Sequence, residues 1–259
     1  MTPFKVLHGT SPIILGQPHG GTFVPDDIGA RLNENGRLFA DTDWHIALLY
    51  AQLDSDLTIV SSTFHRYVID ANRDPNGASL YPGQNTTGLV PLTDFDNKPI
   101  WHEPPDEAEI QRRVGAFHQP YHQALEAEIV RIKALHGFVI LYDCHSIRSR
   151  IPFLFDGTLP QLNIGTDQGA TCDPRIESAA FDIAKRSGLT HVLNGRFRGG
   201  WTTRHYGKPQ ENVHAIQMEI TQSAYLETES APFAYSKSKA AKLRPVLATI
   251  LKALAEFKP

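Results

Sequence analysis

Short apolar runs of three to six residues alternate along this chain with longer stretches of helical periodicity, and that alternation limits the fold more than any other feature. It points to layered α/β architecture rather than an all-α or all-β fold. The short runs read as strands at 13–17, 57–61, 67–70, 138–143, 191–193 and 215–220. Helical patterns occupy 43–53, 106–135, 174–186 and 232–257. The first of these opens on Asp43, an acid at the helix end where the macrodipole favours negative charge. In the second, Ile110, Val114, Phe117, Tyr121, Leu125, Ile129 and Ile132 recur every three or four residues. Pro120 is expected to kink it and Gly137 to cap it.

Residues 72–105 break the pattern, being dense in Gly, Pro, Asn and Thr with little periodicity. They read as a long ordered loop, and such loops are usually functional or disordered. Tyr81, Phe95 and Trp101 argue against disorder. No internal repeat or linker divides the 259 residues, so one domain covering 1–259 is expected.

Charge and composition exclude several classes of function. With 25 Lys plus Arg against 28 Asp plus Glu, the net charge of -3 offers no basic field for nucleic acid or anionic lipid. No apolar run approaches the roughly 18 residues of a membrane span. The opening MTPFKVLHGTSP lacks the basic-then-apolar order of a secretory signal, so a cytoplasmic location is expected. Twelve His stand against two Cys, which rules out a disulfide framework or a Cys-rich zinc cluster and directs attention to imidazole chemistry.

Four constellations carry chemical groups. Gln17-Pro18-His19-Gly20-Gly21 follows an apolar run, so His19 stands at a strand end where glycines permit close approach. Taken alone, a turn histidine is more often structural. Asp143-Cys144-His145-Ser146 ends the run FVILY and places a second histidine at the carboxyl edge of the sheet, where open α/β folds bind ligands. Adjacent strand residues face opposite ways, so Cys144 and His145 do not form a thiolate–imidazole pair; Asp143 either orients a neighbour or caps the strand. RYVIDANR, 66–73, brackets an apolar run with two arginines suited to a carboxylate or an oxyanion, or merely to surface ion pairs. In QMEIT, Glu219 lies between apolar residues; burial would raise its pKa toward a general base, and an edge position would leave it in water.

Together and in this order, PHGG, ADTDWHIALLY, RYVIDANRDPNGASLYPGQNTTGL, DCHSIRS, LNGRFRGGWTTRHYG and HAIQMEITQSAY resemble the N-formylglutamate amidohydrolase family of histidine degradation, over about residues 12–225. The resemblance implies a three-layer α/β/α sandwich with a mixed central sheet, similar to the zinc carboxypeptidases and aspartoacylases. It also implies one Zn2+ and a small N-acyl dicarboxylic amino acid as substrate. By position, His19 and His145 match the zinc histidines. Carboxypeptidases carry Glu three residues after the first His, where this chain has Thr22, a poor replacement for an anionic ligand. Asp43 matches the family's acid, with Asp41 as the alternative. Two histidines and one carboxylate leave a coordination position open, as in catalytic zinc sites.

Glu219 matches the carboxypeptidase general base. Arg66 matches the aspartoacylase oxyanion arginine, although its spacing to Asn72-Arg73 is shorter by one residue. Asn72 and Arg73 would take the substrate α-carboxylate. A second cation is needed for the γ-carboxylate; of Arg148, Arg196, Arg198 and Arg204, the first and last are favoured, or else backbone amides of NGRFRGG.

His118 and His122 are spaced as an i,i+4 chelating pair, but Gln119 stands where an HExxH motif needs Glu, so they read as surface imidazoles. His45 is a candidate to support Asp43. Deacylation of another N-acyl amino acid, a small carboxypeptidase, or an amino-acid-binding module on the same fold are the rival functions.

Overall fold

The structure is a computed structural model that describes residues 2–53, 56–79 and 83–259, so Tyr81 lies outside the described residues. Four parallel strands make the middle of one sheet: β3 (Thr58–Ser62), β2 (Ile13–Gln17), β4 (Val139–Ile147) and β7 (Val213–Thr221), side by side in that order. β1 (Phe4–Leu7) flanks β3 antiparallel. Beyond β7, β5 (Leu162–Gly165) runs antiparallel and carries β6 (His191–Leu193) parallel beside it. The order is therefore β1-β3-β2-β4-β7-β5-β6, a mixed sheet. β2, β4 and β7 are buried along their whole length, which is why their apolar content is nearly continuous at the amino end.

The helices are α1 (Asp26–Gly29), α2 (Ile46–Tyr50), α3 (Glu107–Arg113), α4 (Gln119–His136), α5 (Pro174–Arg186), α6 (Trp201–Tyr206) and α7 (Lys237–Ala255). Ile13, Leu15, Ile140 and Met218 pack on one face of the sheet with α2, α5 and α7. Ile14, Val60, Leu141 and Ala215 pack on the other with Tyr121, Leu125, Ile129 and Ile132 of α4. Two separate apolar clusters across one sheet give the expected three layers. Among the described residues no helix is long and apolar enough to cross a membrane.

The long helix opens on Asp106, whose side chain accepts the Glu109 amide at 2.8 Å. Pro120 does not end it. α3 passes into α4 through a π turn, Val114–His118, and Pro120 falls in the first turn of α4, where its missing N–H is tolerated. Gly137 closes the helix at φ 78°.

Several boundaries differ from expectation. β1 and β5, four residues each, were not expected as strands. The helix anticipated at 43–53 covers only Ile46–Tyr50, preceded by His45 at φ 59°, so Asp43 sits in a turn ahead of it. Residues 67–70 are not a strand despite their apolar content. Tyr67, Val68 and Ile69 are fully buried, but scattered partners take the place of a ladder: the Asp70 amide donates to the Leu89 carbonyl at 2.7 Å, Arg113 to the Val68 carbonyl at 3.0 Å and His122 to that of Ala71 at 2.8 Å. The loop 72–105 carries no helix or strand among its described residues, and Phe95 and Trp101 are buried in it.

Candidate active site

The two central strands change character along their length. Toward α4, β4 presents Val139 and Leu141 and β7 presents Val213 and Ala215; further along the same face come Asp143 and His145, Gln217 and Glu219. The opposite face stays apolar through Cys144, Met218 and Ile220. The parallel register sets Asp143 beside Gln217 and His145 beside Glu219. Period-two alternation thus lines the floor of a cleft with polar groups where the covering helix ends, without disturbing the core behind.

His19 joins this floor from the end of β2. Gly21 behind it packs so tightly on the next segment that a Cβ would stand 2.5 Å from the backbone of Thr63 and Phe64. The Asp43 amide donates to the His19 carbonyl at 3.1 Å, and Asp43 Oδ2 accepts the Ser146 amide at 3.1 Å. Asp43 Oδ2 lies 3.7 Å from His19 Nδ1 and 3.4 Å from His145 Nδ1. One ligand atom from each of these three buried residues lies within 4.8 Å of the others. Asp41 faces elsewhere, accepting from the Tyr67 hydroxyl at 2.9 Å and the Phe95 amide at 3.0 Å. Burial pushes its carboxyl up to about 7.

The far ring nitrogens are held as well. His19 Nε2 meets Asp70 Oδ1 at 2.7 Å, and His145 Nε2 lies 3.2 Å from Asp143 Oδ2. Carboxylates behind the rings and Nδ1 atoms directed at Asp43 are the arrangement that supports metal-binding histidines. Asp70 also accepts from Arg66 Nη2 at 2.6 Å and from the Asn72 amide at 2.8 Å. Burial opposes its charge, but Arg66 and Arg73 hold it well below the usual carboxylate range.

The electrostatics call for a cation. Burial and Arg66 lower the His19 pKa. Burial works the same way on His145, yet Asp143, Asp43 and Glu219 outweigh it and raise that imidazole well above its ordinary value. An ion among these carboxylates would displace the proton they attract. Burial pushes Glu219 up to about 8. The donor set therefore fits a divalent metal held by two imidazoles and one carboxylate.

These groups open into a cleft of about 610 Å³, also lined by Arg66, Asn72, Arg73, Arg196 and Phe197. Arg66 is 5% exposed and lies over the Phe95 ring at 4.8 Å. Asn72 Oδ1 accepts the Thr202 amide at 2.8 Å, and its Nδ2 is 3.1 Å from His145 Nε2. The structure does not bring Arg148 or Arg204 into the lining, because Asp96 pairs with the first at 3.1 Å and Asp167 with the second at 3.3 Å. Arg196 does line it, bonded to the Leu154 and Asn85 carbonyls at 3.0 Å each. His45 bonds the Phe233 carbonyl at 2.9 Å, away from the cluster.

Asp70 had no role assigned from sequence. Its signal was an acid inside the apolar run YVID, four residues from Arg66, a place where burial demands a partner. His118 and His122 are not surface imidazoles: they are 2% and 6% exposed and reach the backbone beside Asn72.

The N-formylglutamate amidohydrolase family profile matches residues 11–226. An N-formylglutamate deformylase of Pseudomonas aeruginosa is 42% identical over 250 residues, covering 95% of this chain and 93% of that protein. The chain belongs to the N-formylglutamate amidohydrolase family. A deformylase of the same name from Pseudomonas putida is also 42% identical, with 96% of each chain covered. Among solved structures, the family member from Ralstonia eutropha JMP134 has a TM-score of 0.80 at 26% identity, with 98% of this chain and 97% of that one covered. A gene product of Agrobacterium tumefaciens, 21% identical with a TM-score of 0.75 and 98% and 95% covered, shares the fold.

Proposed function

We propose that this protein, acting as a single domain, hydrolyses N-formyl-L-glutamate to formate and L-glutamate with one Zn2+, as a cytoplasmic step of histidine degradation. The observation that carries the reading is the meeting of His19, Asp43 and His145 in one cleft with Glu219 and three arginines, in a chain of this family. Bound by those three residues, zinc would supply Lewis acidity toward water and a carbonyl oxygen.

The chain's own groups do the rest. Glu219, in register with His145, takes the proton of the attacking water on a carboxylate oxygen and passes it to the departing amide nitrogen. Its burial keeps that oxygen basic, and a cation between the imidazoles favours its ionised form. Arg66, fixed by Asp70, sets a positive charge where the formyl oxygen becomes anionic. Asn72 and Arg73 orient the α-carboxylate. Arg196, rather than Arg148 or Arg204, takes the γ-carboxylate, since of the three it alone lines the cleft.

Turnover of N-formylglutamate, N-acetylglutamate, N-acetylaspartate and a dipeptide by the zinc-loaded protein tests this. The expected result is at least about a tenfold preference for the first. Comparable rates on all four would sink the specificity, and no hydrolysis of any would sink the enzymatic reading.

A further inference from the structure

The histidine pair on the long helix has no part in the chemistry above, yet it is built into the site's support. His122 Nε2 lies 2.8 Å from the Ala71 carbonyl and its Nδ1 lies 2.9 Å from the Tyr206 hydroxyl, so both ring nitrogens are engaged. His118 Nε2 lies 3.0 Å from the Arg73 carbonyl. The two rings are 4.4 Å apart and both pack against Trp201. Burial lowers both pKa values, that of His122 to about 3, so near neutral pH each ring carries one N–H, directed at a carbonyl.

Those carbonyls stand on either side of Asn72. The segment from Arg66 to Arg73 has no sheet partner; backbone carbonyls take its Val68 and Asp70 amides, but side chains satisfy the carbonyls of Val68, Ala71 and Arg73, and whatever satisfies them also sets their position. The π turn Val114–His118 ends on one member of the pair. Such turns shift the helical face by a residue and recur at functional sites. His118 and His122, one helical turn apart, share the face that meets this strip of backbone.

We propose that His118 and His122 are positioning residues whose ring N–H groups clamp the carbonyls flanking Asn72, and so place Asn72 and Arg73 in the cleft. This rests on the substrate-binding role given to that pair above. The test compares His122→Phe and His118→Phe, which keep a ring but lose the donor, with His122→Gln and His118→Gln, which keep an amide donor. Amide hydrogen exchange is read for peptides covering residues 68–76 and for the central strands, together with kcat, KM and zinc content.

The clamp predicts exchange at least tenfold faster in 68–76 for the phenylalanine variants, with strand protection unchanged. KM for N-formylglutamate should rise at least fivefold, with kcat within threefold, zinc retained, and substantial recovery in the glutamine variants. Parental exchange and KM in both phenylalanine variants would overturn the proposal. So would loss of protection throughout the sheet, which would make the histidines ordinary core residues. If the local exchange result holds but the parent hydrolyses no N-formylglutamate, the functional reading fails and the clamp stands.

Discussion

Replacing Asp70 with Asn keeps the shape of the side chain and removes the charge on which the site's support converges. The carboxylate is fully buried; one oxygen meets His19 Nε2 at 2.7 Å and the other accepts from Arg66 Nη2 at 2.6 Å. Asp70→Asn leaves the buried Arg66 guanidinium without its anion. Breaking one side of a buried pair costs about 3–5 kcal/mol, a large share of the roughly 5–15 kcal/mol that holds a domain folded. For a chain of this size the melting temperature should fall by about 6–20 °C. Because the Asp70 carboxyl is held well below its usual range, its contribution is present above the unfolded pKa of about 3.9 and lost only as pH falls through the lower folded value. The deficit should therefore be nearly constant from about pH 5 upward. Replacing the carboxylate behind His19 with a neutral, weaker acceptor should also weaken zinc binding by about 10–100-fold. Urea unfolding across that pH range, with chelator competition for zinc, measures both effects. The double variant Arg66→Met/Asp70→Asn removes both charges and should recover part of the stability but not the zinc affinity. An Asp70→Asn protein within about 1 kcal/mol of the parent, binding zinc equally well, would refute the view of Asp70 as the shared anchor.

Other outcomes follow from the same geometry. Glu219→Gln should lower kcat by about 10²–10⁴-fold while zinc is retained, whereas His145→Ala should lose the metal on elemental analysis; parental turnover by Glu219→Gln would remove its proton-transfer role. Gly200→Ala would set a Cβ 2.2 Å from Asn72 Nδ2, at a backbone φ of −75° that alanine accepts. The cost should be about 1–3 kcal/mol with a raised KM, and an unchanged KM would show that Asn72 does not touch substrate. Below about pH 6.5 the unfolded chain protonates His122 while the folded one, near 3, does not. Stability should fall with decreasing pH, His122 adding up to about 1.4 kcal/mol per pH unit. His122→Gln should flatten that dependence between pH 6.5 and 4.5, with His118, His205, Tyr206 and Glu126 as the neighbouring titratable groups; parallel curves for parent and variant would contradict it.

Strand β2 could be read from the sequence to the residue, since a continuous apolar start such as Ile13-Ile14-Leu15 is what a strand buried on both faces requires. β4 was read short, at 138–143 instead of Val139–Ile147, because its polar end DCHS does not look like the interior of a sheet. The same chemistry misled in the opposite sense at 67–70, where an apolar run is buried without a strand partner because Arg113 answers the Val68 carbonyl and His122 that of Ala71 just beyond it. No local pattern reports which distant side chain will satisfy a backbone group.

Taken by itself, the sequence settled the layered α/β class and the placing of His19 and His145 at the ends of apolar runs, since these depend on periodicity and on residues close in the chain, while the family followed from the resemblance of its ordered motifs. The tertiary structure alone decided which acid meets both imidazoles, and it turned Asp41 toward Tyr67 and Phe95. It alone showed that Arg196 rather than Arg148 or Arg204 reaches the cleft, and that Asp70, His118 and His122 support it. Each of those outcomes is a contact between segments tens of residues apart. Charge pairing and backbone hydrogen bonding choose among equivalent side chains only after the sheet has brought them within reach.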